Sequence, residues 1–267
     1  MTFLGVAGWP VAHSLSPVMH NAALAAVGLS DWRYLALPLP PERFAETVRA
    51  LPAAGFRGLN ATIPHKAAAL AVADAATPTA AAIGAANTLT FERGGAIVAD
   101  NTDAPGLLEA LPLEIAGISA LVLGAGGAAR AAVYALLHAG AADVMVWNRT
   151  RERAERLVAD LGGRVVDAPQ SATLVLNTTS VGLRDTDAPF KSLPLQADTL
   201  GVGSYVADMV YRPGGTPLLA EAKRRGATVV SGLEILLAQG AASFERWTDM
   251  TAPRDAMRGA VHRTPEP

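Results

Sequence analysis

The chain contains no cysteine, which excludes disulfides, thiolate nucleophiles and cysteine-ligated metals. Histidine is sparse too. The five histidines show no ligand spacing such as His-Glu-x-x-His, so no metal is expected. Charge is scarce and balanced: 17% of residues are charged and the net is -2, leaving no basic field to hold nucleic acid or an anionic membrane. The charge-free stretch at the centre, residues 115–129, is glycine-rich and falls short of the ~20 residues that span a bilayer. No basic region precedes an apolar stretch at the N-terminus, so no secretory leader is expected. These absences point to a soluble, cytoplasmic protein without nucleic-acid or membrane partners. The chain has apolar side chains in quantity. At 51% hydrophobic and 267 residues it can fill one large or two ordinary domains, which argues against disorder.

Apolar periodicity reads as alternating strands and helices. Strands are expected at 3–8, 32–37 and 58–63. Helices are expected from Ser16-Pro17 to a stop at Gly28, over 41–51, and from Lys66. A second unit begins near Pro105. It has expected strands at 120–123, 143–147, 174–176, 206–209 and 228–230, and helices at 130–138, 151–161 and 218–225. A long apolar helix, 232–247, follows the last strand, and its position suggests a return to the first domain. The tail after Arg258, with Pro265 and Pro267, is expected to be loose. The βαβα alternation implies an α/β protein with mainly parallel sheets.

A nucleotide signature opens the second unit. Residues 121–130, Leu-Val-Leu-Gly-Ala-Gly-Gly-Ala-Ala-Arg, read as a strand, a glycine turn and a helix start. Gly124 permits the tight turn, Gly126 lets backbone approach a pyrophosphate, and Ala129 allows close helix–strand packing. The helix N-terminus supplies amide donors and a positive dipole end. An NAD site usually carries Asp or Glu about 20 residues on. Here Trp147 is followed by Asn148, Arg149 and Thr150, with Arg153 one turn later and no acid at the tip. Two guanidiniums and a hydroxyl suit a 2′-phosphate, so NADP is the expected cofactor.

Upstream, residues 60–66 read Asn-Ala-Thr-Ile-Pro-His-Lys and residues 101–103 read Asn-Thr-Asp. Either Lys66 or Asp103 alone reads as a solvated lysine or a turn aspartate. Together, ahead of a dinucleotide site, they suggest proton transfer coupled to hydride transfer. Ser14 and Ser16 stand two residues apart in what reads as an extended loop, where their hydroxyls would converge on one anionic group. Taken alone, Ser16 reads better as a helix N-cap. Asn87, after small residues, is either a polar anchor or a turn former. His13, His20 and His65 lie near these segments, and a structural role is the better reading for each.

The chain resembles the shikimate dehydrogenase family. The segments that carry the likeness are 8–21, 55–66, 83–89, 101–103 with Gly106, 124–130, 148–150, 177–182, 208–213 and 232–247, in order and over nearly the whole chain. The resemblance implies a substrate-binding catalytic domain over 1–104, a Rossmann-like NADP-binding domain over 105–231, and a C-terminal helical segment over 232–267 that packs back on the first domain. It implies reversible NADPH-dependent reduction of 3-dehydroshikimate to shikimate, on the route to chorismate and aromatic amino acids. Position by position, it makes Lys66 and Asp103 the catalytic pair. It makes Ser14, Ser16, Thr62, Asn87, Tyr211 and Gln239 substrate contacts, with Asn60 a weaker candidate. Gly124, Ala125, Gly126, Gly127 and Ala128 of the glycine loop, with Asn148, Arg149, Thr150 and Arg153, match cofactor contacts. Met209 and Gly232 align with the nicotinamide end. Ala61 replaces a usual valine and Ile235 a frequent methionine, both apolar exchanges. A homodimer is compatible with this reading. Two alternatives stay open. A dual quinate/shikimate dehydrogenase using NAD would carry an acid at the 2′-phosphate position, and none is present. A regulatory nucleotide-binding module without catalysis would not need both Lys66 and Asp103.

Overall fold

The computed structural model describes residues 1–168, 171–183, 188–212 and 214–263. Pro213, at the end of the family-like segment 208–213, and the tail prolines 265 and 267 lie outside the described residues. The chain divides into two compact units, Met1–Gly106 with Leu237–Pro267, and Leu107–Leu236.

The first unit runs β1 (Thr2–Gly8), α1 (Ser16–Ala26), β2 (Trp32–Pro38), α2 (Phe44–Ala50), β3 (Phe56–Ala61), α3 (Lys66–Val72), β4 (Ala75–Ala76), α4 (Pro78–Ile83), β5 (Thr88–Phe91) and β6 (Ile97–Asp100), and ends in the start of α5 (Asp103–Ala110). Its sheet has the order β2-β1-β3-β5-β6-β4. Most pairs are parallel, as the alternation implies, but β5 runs antiparallel to both β3 and β6. That hairpin was not legible, because β4, β5 and β6 are short and rich in Ala and Thr. The reversal matters for function. It brings the start of β5 to the same sheet edge as the ends of β3 and β6, with Asn60 opposite Thr88 and Thr88 opposite Asp100. Thr77 caps α4, its hydroxyl accepting from the Ala80 amide at 3.2 Å, and Gly84 ends that helix at φ 70°.

The second unit runs β7 (Ser119–Leu123), α6 (Gly127–His138), β8 (Asp143–Trp147), α7 (Arg151–Leu161), β9 (Arg164–Val165), β10 (Leu174–Asn177), α8 (Pro189–Ser192), β11 (Tyr205–Asp208), α9 (Pro217–Arg224), β12 (Thr228–Val230) and the start of α10 (Gly232–Thr248). Every pair in its sheet, ordered β12-β11-β10-β7-β8-β9, is parallel. The strands are buried on both faces. Ala120, Val122, Val144, Val146 and Leu176 join one apolar cluster, while Leu121, Leu123, Met145, Val175 and Val206 join another. This two-sided burial explains the unbroken apolar runs in the sequence.

The last part of α10 and α11 (Arg254–His262) belong to the first unit. Over residues 259–262 the expectation of a loose tail after Arg258 is corrected by α11, whose Met257, Ala260 and Val261 are buried on one helical face; residues 264–267 lie outside the described residues. Two glycines are fixed by α10. A Cβ on Gly58 would stand 2.1 Å from Trp247 Nε1, and one on Gly106 would stand 2.7 Å from the Gln239 nitrogen. Trp247 in turn donates to the Leu89 carbonyl at 3.0 Å.

Candidate active site

In the first unit the edge formed by the ends of β3 and β6 and the start of β5 gathers the polar residues. Lys66, the first residue of α3, points its Nζ at Asp103 Oδ2 at 2.5 Å, with both side chains largely shielded, 13% and 6% exposed. Asp103 begins α5, where the helix dipole suits a carboxylate. The Asn101 side chain accepts from the Asp103 and Ala104 amides at 3.1 and 3.3 Å and so fixes that turn. Asn87 Nδ2 donates to Asp103 Oδ1 at 2.9 Å, to Thr102 Oγ1 at 2.9 Å and to Gln239 Oε1 at 3.1 Å. Four predicted site residues, Lys66, Asn87, Asp103 and Gln239, therefore form one connected cluster. An ammonium held against a carboxylate in so shielded a place can hand a proton to an oxygen developing negative charge.

Beneath that cluster lies a second, fully buried one that the sequence did not disclose. Ser243, one turn after Gln239 on α10, accepts from Asn60 Nδ2 at 3.0 Å. Its hydroxyl also pairs with Thr88 at 2.9 Å and Thr102 at 3.0 Å. Tyr34 donates to Asn60 Oδ1 at 2.7 Å, and the remaining Asn60 contacts are the Asn87 carbonyl and Thr88. The Asn60 side chain is thus occupied within the protein, which supports a structural role better than a substrate contact. The i, i+4 spacing of Gln239 and Ser243 was the only sequence signal for this layer.

The serine loop differs from expectation. Leu15 is αR and the chain turns at Ala12–His13, so the segment is not extended, and alternation does not govern where the hydroxyls point. Ser16 is not the cap of α1. It is the first helical residue, and its amide donates to Ser14 Oγ at 3.3 Å. Thr62 lies in the turn between β3 and α3, partly exposed, and its carbonyl accepts from the His65 amide at 2.7 Å. His65 and His20 are structural. His65 stacks on Phe44 and bonds the Leu39 carbonyl at 2.7 Å, and burial lowers its pKa. His20 is fully buried against Tyr34, with centroids 4.3 Å apart, and burial lowers it to about 3. His13 is exposed.

In the second unit the candidate cofactor residues lie just past the ends of the central strands, where Leu123 is in register with Trp147 and Asn177, and Asn177 with Asp208. The sheet order reverses between β7 and β10, the place where open α/β sheets bind ligands. Gly124 adopts φ +120°, and a Cβ there would meet Thr178 Oγ1 at 2.5 Å. Gly126 precedes α6 with no side-chain cap, and a Cβ on it would meet nothing within 4 Å, so its backbone is open to a ligand. Ala125, Gly127 and Ala128 complete the loop and first turn, and Ala129 is buried in the helix–sheet core. At the tip of β8, Asn148 Nδ2 donates to the Thr150 carbonyl at 2.8 Å. Arg149, Thr150 and Arg153 are exposed, and neither guanidinium has an ion-pair or hydrogen-bond partner among the described residues, whereas Arg151 is held by Glu155 and Asp167. This set fits a dinucleotide with a 2′-phosphate: bare backbone for the pyrophosphate and uncommitted cations for the extra charge. Met209 and Tyr211 follow β11, and Gly232 packs so tightly that a Cβ would lie 2.6 Å from the Val210 carbonyl oxygen. Tyr211 belongs to this second unit, apart in the chain from the other substrate candidates. Among the described residues no helix is long and apolar enough to cross a membrane, and no group of acidic or histidine side chains could hold a metal ion.

Comparison with known proteins assigns the family. Residues 6–89 match the shikimate dehydrogenase substrate binding domain, 108–186 the shikimate / quinate 5-dehydrogenase family, and 232–262 the shikimate 5′-dehydrogenase C-terminal domain. A shikimate dehydrogenase (NADP(+)) of Paracoccus denitrificans is 46% identical over 256 residues, covering 91% of this chain and 89% of that protein. The crystal structure of shikimate dehydrogenase from Aquifex aeolicus superposes with a TM-score of 0.91 at 38% identity, covering 99% of this chain and 98% of that one. Shikimate 5-dehydrogenase from Thermus thermophilus, in complex with NADP(H) and shikimate, gives a TM-score of 0.89 at 42% identity over 98% and 99% of the two chains. With a charge-paired lysine and aspartate at one sheet edge, an open glycine turn at another, and this likeness along its length, the chain belongs to the shikimate dehydrogenase family.

Proposed function

We propose that this chain is an NADP-dependent shikimate dehydrogenase that reversibly reduces 3-dehydroshikimate to shikimate, on the route to chorismate and aromatic amino acids. The observation that carries the reading is the shielded Lys66–Asp103 pair, 2.5 Å apart and held by Asn87. NADPH, when bound, supplies the hydride that reaches the ketone carbon. Lys66 stabilises the charge that develops on the ketone oxygen and donates a proton from Nζ, and in the reverse direction it accepts one. Asp103 orients and balances the ammonium. Ser14 and Ser16 grip the carboxylate, and Thr62, Asn87, Gln239 and Tyr211 orient the ring hydroxyls and ketone, Asn60 acting from beneath. Gly124, Ala125, Gly126, Gly127 and Ala128 hold the pyrophosphate. Asn148, Arg149, Thr150 and Arg153 hold the adenosine ribose and its 2′-phosphate, and Met209 and Gly232 border the nicotinamide. The roles fall on three segments: 1–104 binds substrate, 105–231 binds NADP, and 232–267 completes the substrate side. The protein works in the cytoplasm and as a homodimer, which light scattering after size-exclusion chromatography tests.

The deciding experiment is oxidation of shikimate by the purified protein with NADP, with quinate and NAD in parallel. Shikimate is planar at the carbon bearing its carboxylate, while quinate carries a further hydroxyl there. A pocket fitted to the planar acid leaves that hydroxyl unpaired, at ~1–3 kcal/mol, so quinate should fall roughly 5- to 150-fold behind in kcat/KM. Equal turnover of the two acids would favour the dual-specificity reading, and no NADP-dependent turnover of shikimate would refute the assignment.

A further inference from the structure

Asp208 is a buried carboxylate that the chemistry above does not use. It closes β11 and is 0% exposed. Its Oδ1 accepts from Asn177 Nδ2 at 2.8 Å and from the Val210 amide at 3.0 Å, and its Oδ2 accepts from the Thr216 hydroxyl at 2.7 Å. Each partner belongs to a different stretch. Asn177 ends β10 and also bonds Thr179 and the Val181 carbonyl, so it shapes the 177–182 loop. Val210 lies in the exit of β11, between Met209 and Tyr211. Thr216 caps α9, accepting from the Leu219 amide at 3.4 Å, which leaves its proton to point at Asp208. Gly232 closes the arrangement, its Cα so near that a Cβ would lie 2.8 Å from the Asp208 carbonyl oxygen.

We propose that Asp208 is a positioning residue for the reaction, tying the exits of β10 and β11 to the start of α9 and so fixing the backbone that carries Met209 and Tyr211. The inference rests on the assignment of Met209 and Tyr211 as ligand contacts. A buried acid without a cation partner destabilises the fold unless its acceptors are filled, and here three donors fill them. The groups facing the carboxylate are the Asn177 amide, the Val210 N–H, the Thr216 hydroxyl and, across a short gap, Gly182. None is charged. The nearest cation along the chain, Arg212, reaches the Gly182 carbonyl at 3.5 Å. Burial raises the Asp208 pKa to about 6, against the opposing pull of the three donors. Below that pH its acquired proton and that of the Thr216 hydroxyl compete for one place, so this hydrogen bond rearranges and the geometry at the start of α9 changes, while protonation relieves the cost of the buried charge and the fold as a whole gains stability.

The test compares the parent with Asp208→Ala and Asp208→Asn. Three measurements apply: hydrogen–deuterium exchange of peptides spanning 206–212, KM and kcat for shikimate at saturating NADP, and the pH profile of kcat/KM. Asp208→Ala should speed exchange of that peptide and raise KM about tenfold while kcat changes much less, the pattern of lost binding geometry. Asp208→Asn keeps an oxygen for Asn177 and Val210. It should return exchange and KM to within about threefold of the parent, and flatten the parent's acid limb near pH 6. Exchange and KM unchanged in Asp208→Ala, or an acid limb that survives intact in Asp208→Asn, would overturn the proposal. Should the alanine variant not fold, Thr216→Val takes its place, with KM raised about threefold expected and no change in KM or exchange counting against the proposal. Absence of shikimate turnover in the parent would sink the functional reading alone, because exchange still reads whether Asp208 holds the segment.

Discussion

In the first unit, the polar side chains around Lys66 commit their hydrogen bonds to one another. In the second, the glycine turn and the two arginines assigned to NADP leave theirs open. Asn87 alone bonds Thr102, Asp103 and Gln239, and Ser243 ties Asn60, Thr88 and Thr102 beneath it. By contrast, Gly126 faces empty space, and Arg149 and Arg153 have no side-chain partner among the described residues. The difference follows from the two tasks. Proton transfer needs a donor held at a fixed place in a shielded site, which a closed network provides. Holding a phosphate needs backbone N–H groups and cations whose hydrogen bonds remain for the ligand.

The largest effect that would break this contrast is at Lys66. Lys66→Ala should lower kcat roughly 10²- to 10⁴-fold, with little change in KM for shikimate, as steady-state rates at saturating NADP will show. A kcat within a few-fold of the parent would remove Lys66 from the chemistry. Next is Arg149→Ala, which should weaken NADP binding by ~1.5–3 kcal/mol and barely move NAD, read by titration calorimetry with both cofactors. Equal weakening of the two would make Arg149 a structural residue.

Acid should separate the units in a third way. Free histidine titrates at 6.5, but folded His20 is held to about 3, so between those values the unfolded chain binds a proton that the folded state refuses. Stability of the first unit should therefore fall as pH drops below 6.5, by about 1.4 kcal/mol per pH unit through that window. Asp208 has the opposite sign. Its pKa is raised from 3.8 to about 6, so the folded second unit takes its proton first and gains stability as pH falls from about 6 towards 3.8. Amide exchange at pH 5 against pH 7 should show the first unit opening ahead of the second, and His20→Leu should narrow the gap. Simultaneous loosening of both units at pH 5 would contradict this. The smallest effect is at Ser243. Ser243→Ala removes one buried partner each from Asn60, Thr88 and Thr102, and should lower stability by ~1–3 kcal/mol in urea unfolding without changing NADP affinity.

The same contrast decides what the sequence disclosed. The second unit is local in sequence: a buried strand, a glycine turn and a helix start sit side by side at 119–130, and the helix α7 begins and ends where its apolar period says. Gly124 announces itself because its φ of +120° and the nearby Thr178 hydroxyl leave no room for a side chain. The site of the first unit is assembled from distant segments, since Asn60 meets Ser243 and Asn87 meets Gln239 only after α10 has returned to the first unit. Residue types pointed to Lys66 and Asp103. Beyond its i, i+4 spacing from Gln239 nothing in one chain marks Ser243 as their support, nothing marks Tyr34, and the Thr-Leu-Thr-Phe alternation of β5 is too short to fix an antiparallel pairing. Ser16 misled because a serine ahead of a helix normally caps it, whereas here Ser14 receives the helix's amide.

The central claim is a division of labour, with proton handling in the first unit and cofactor holding in the second. It is tested most directly by crossing two measurements on two variants: NADP affinity in Lys66→Ala, and kcat at saturating NADP in Arg149→Ala. The account predicts that Lys66→Ala binds NADP as the parent does while its kcat collapses, and that Arg149→Ala regains the parent's kcat once NADP saturates it. A loss of NADP affinity in Lys66→Ala, or a kcat in Arg149→Ala that saturation does not restore, would contradict it.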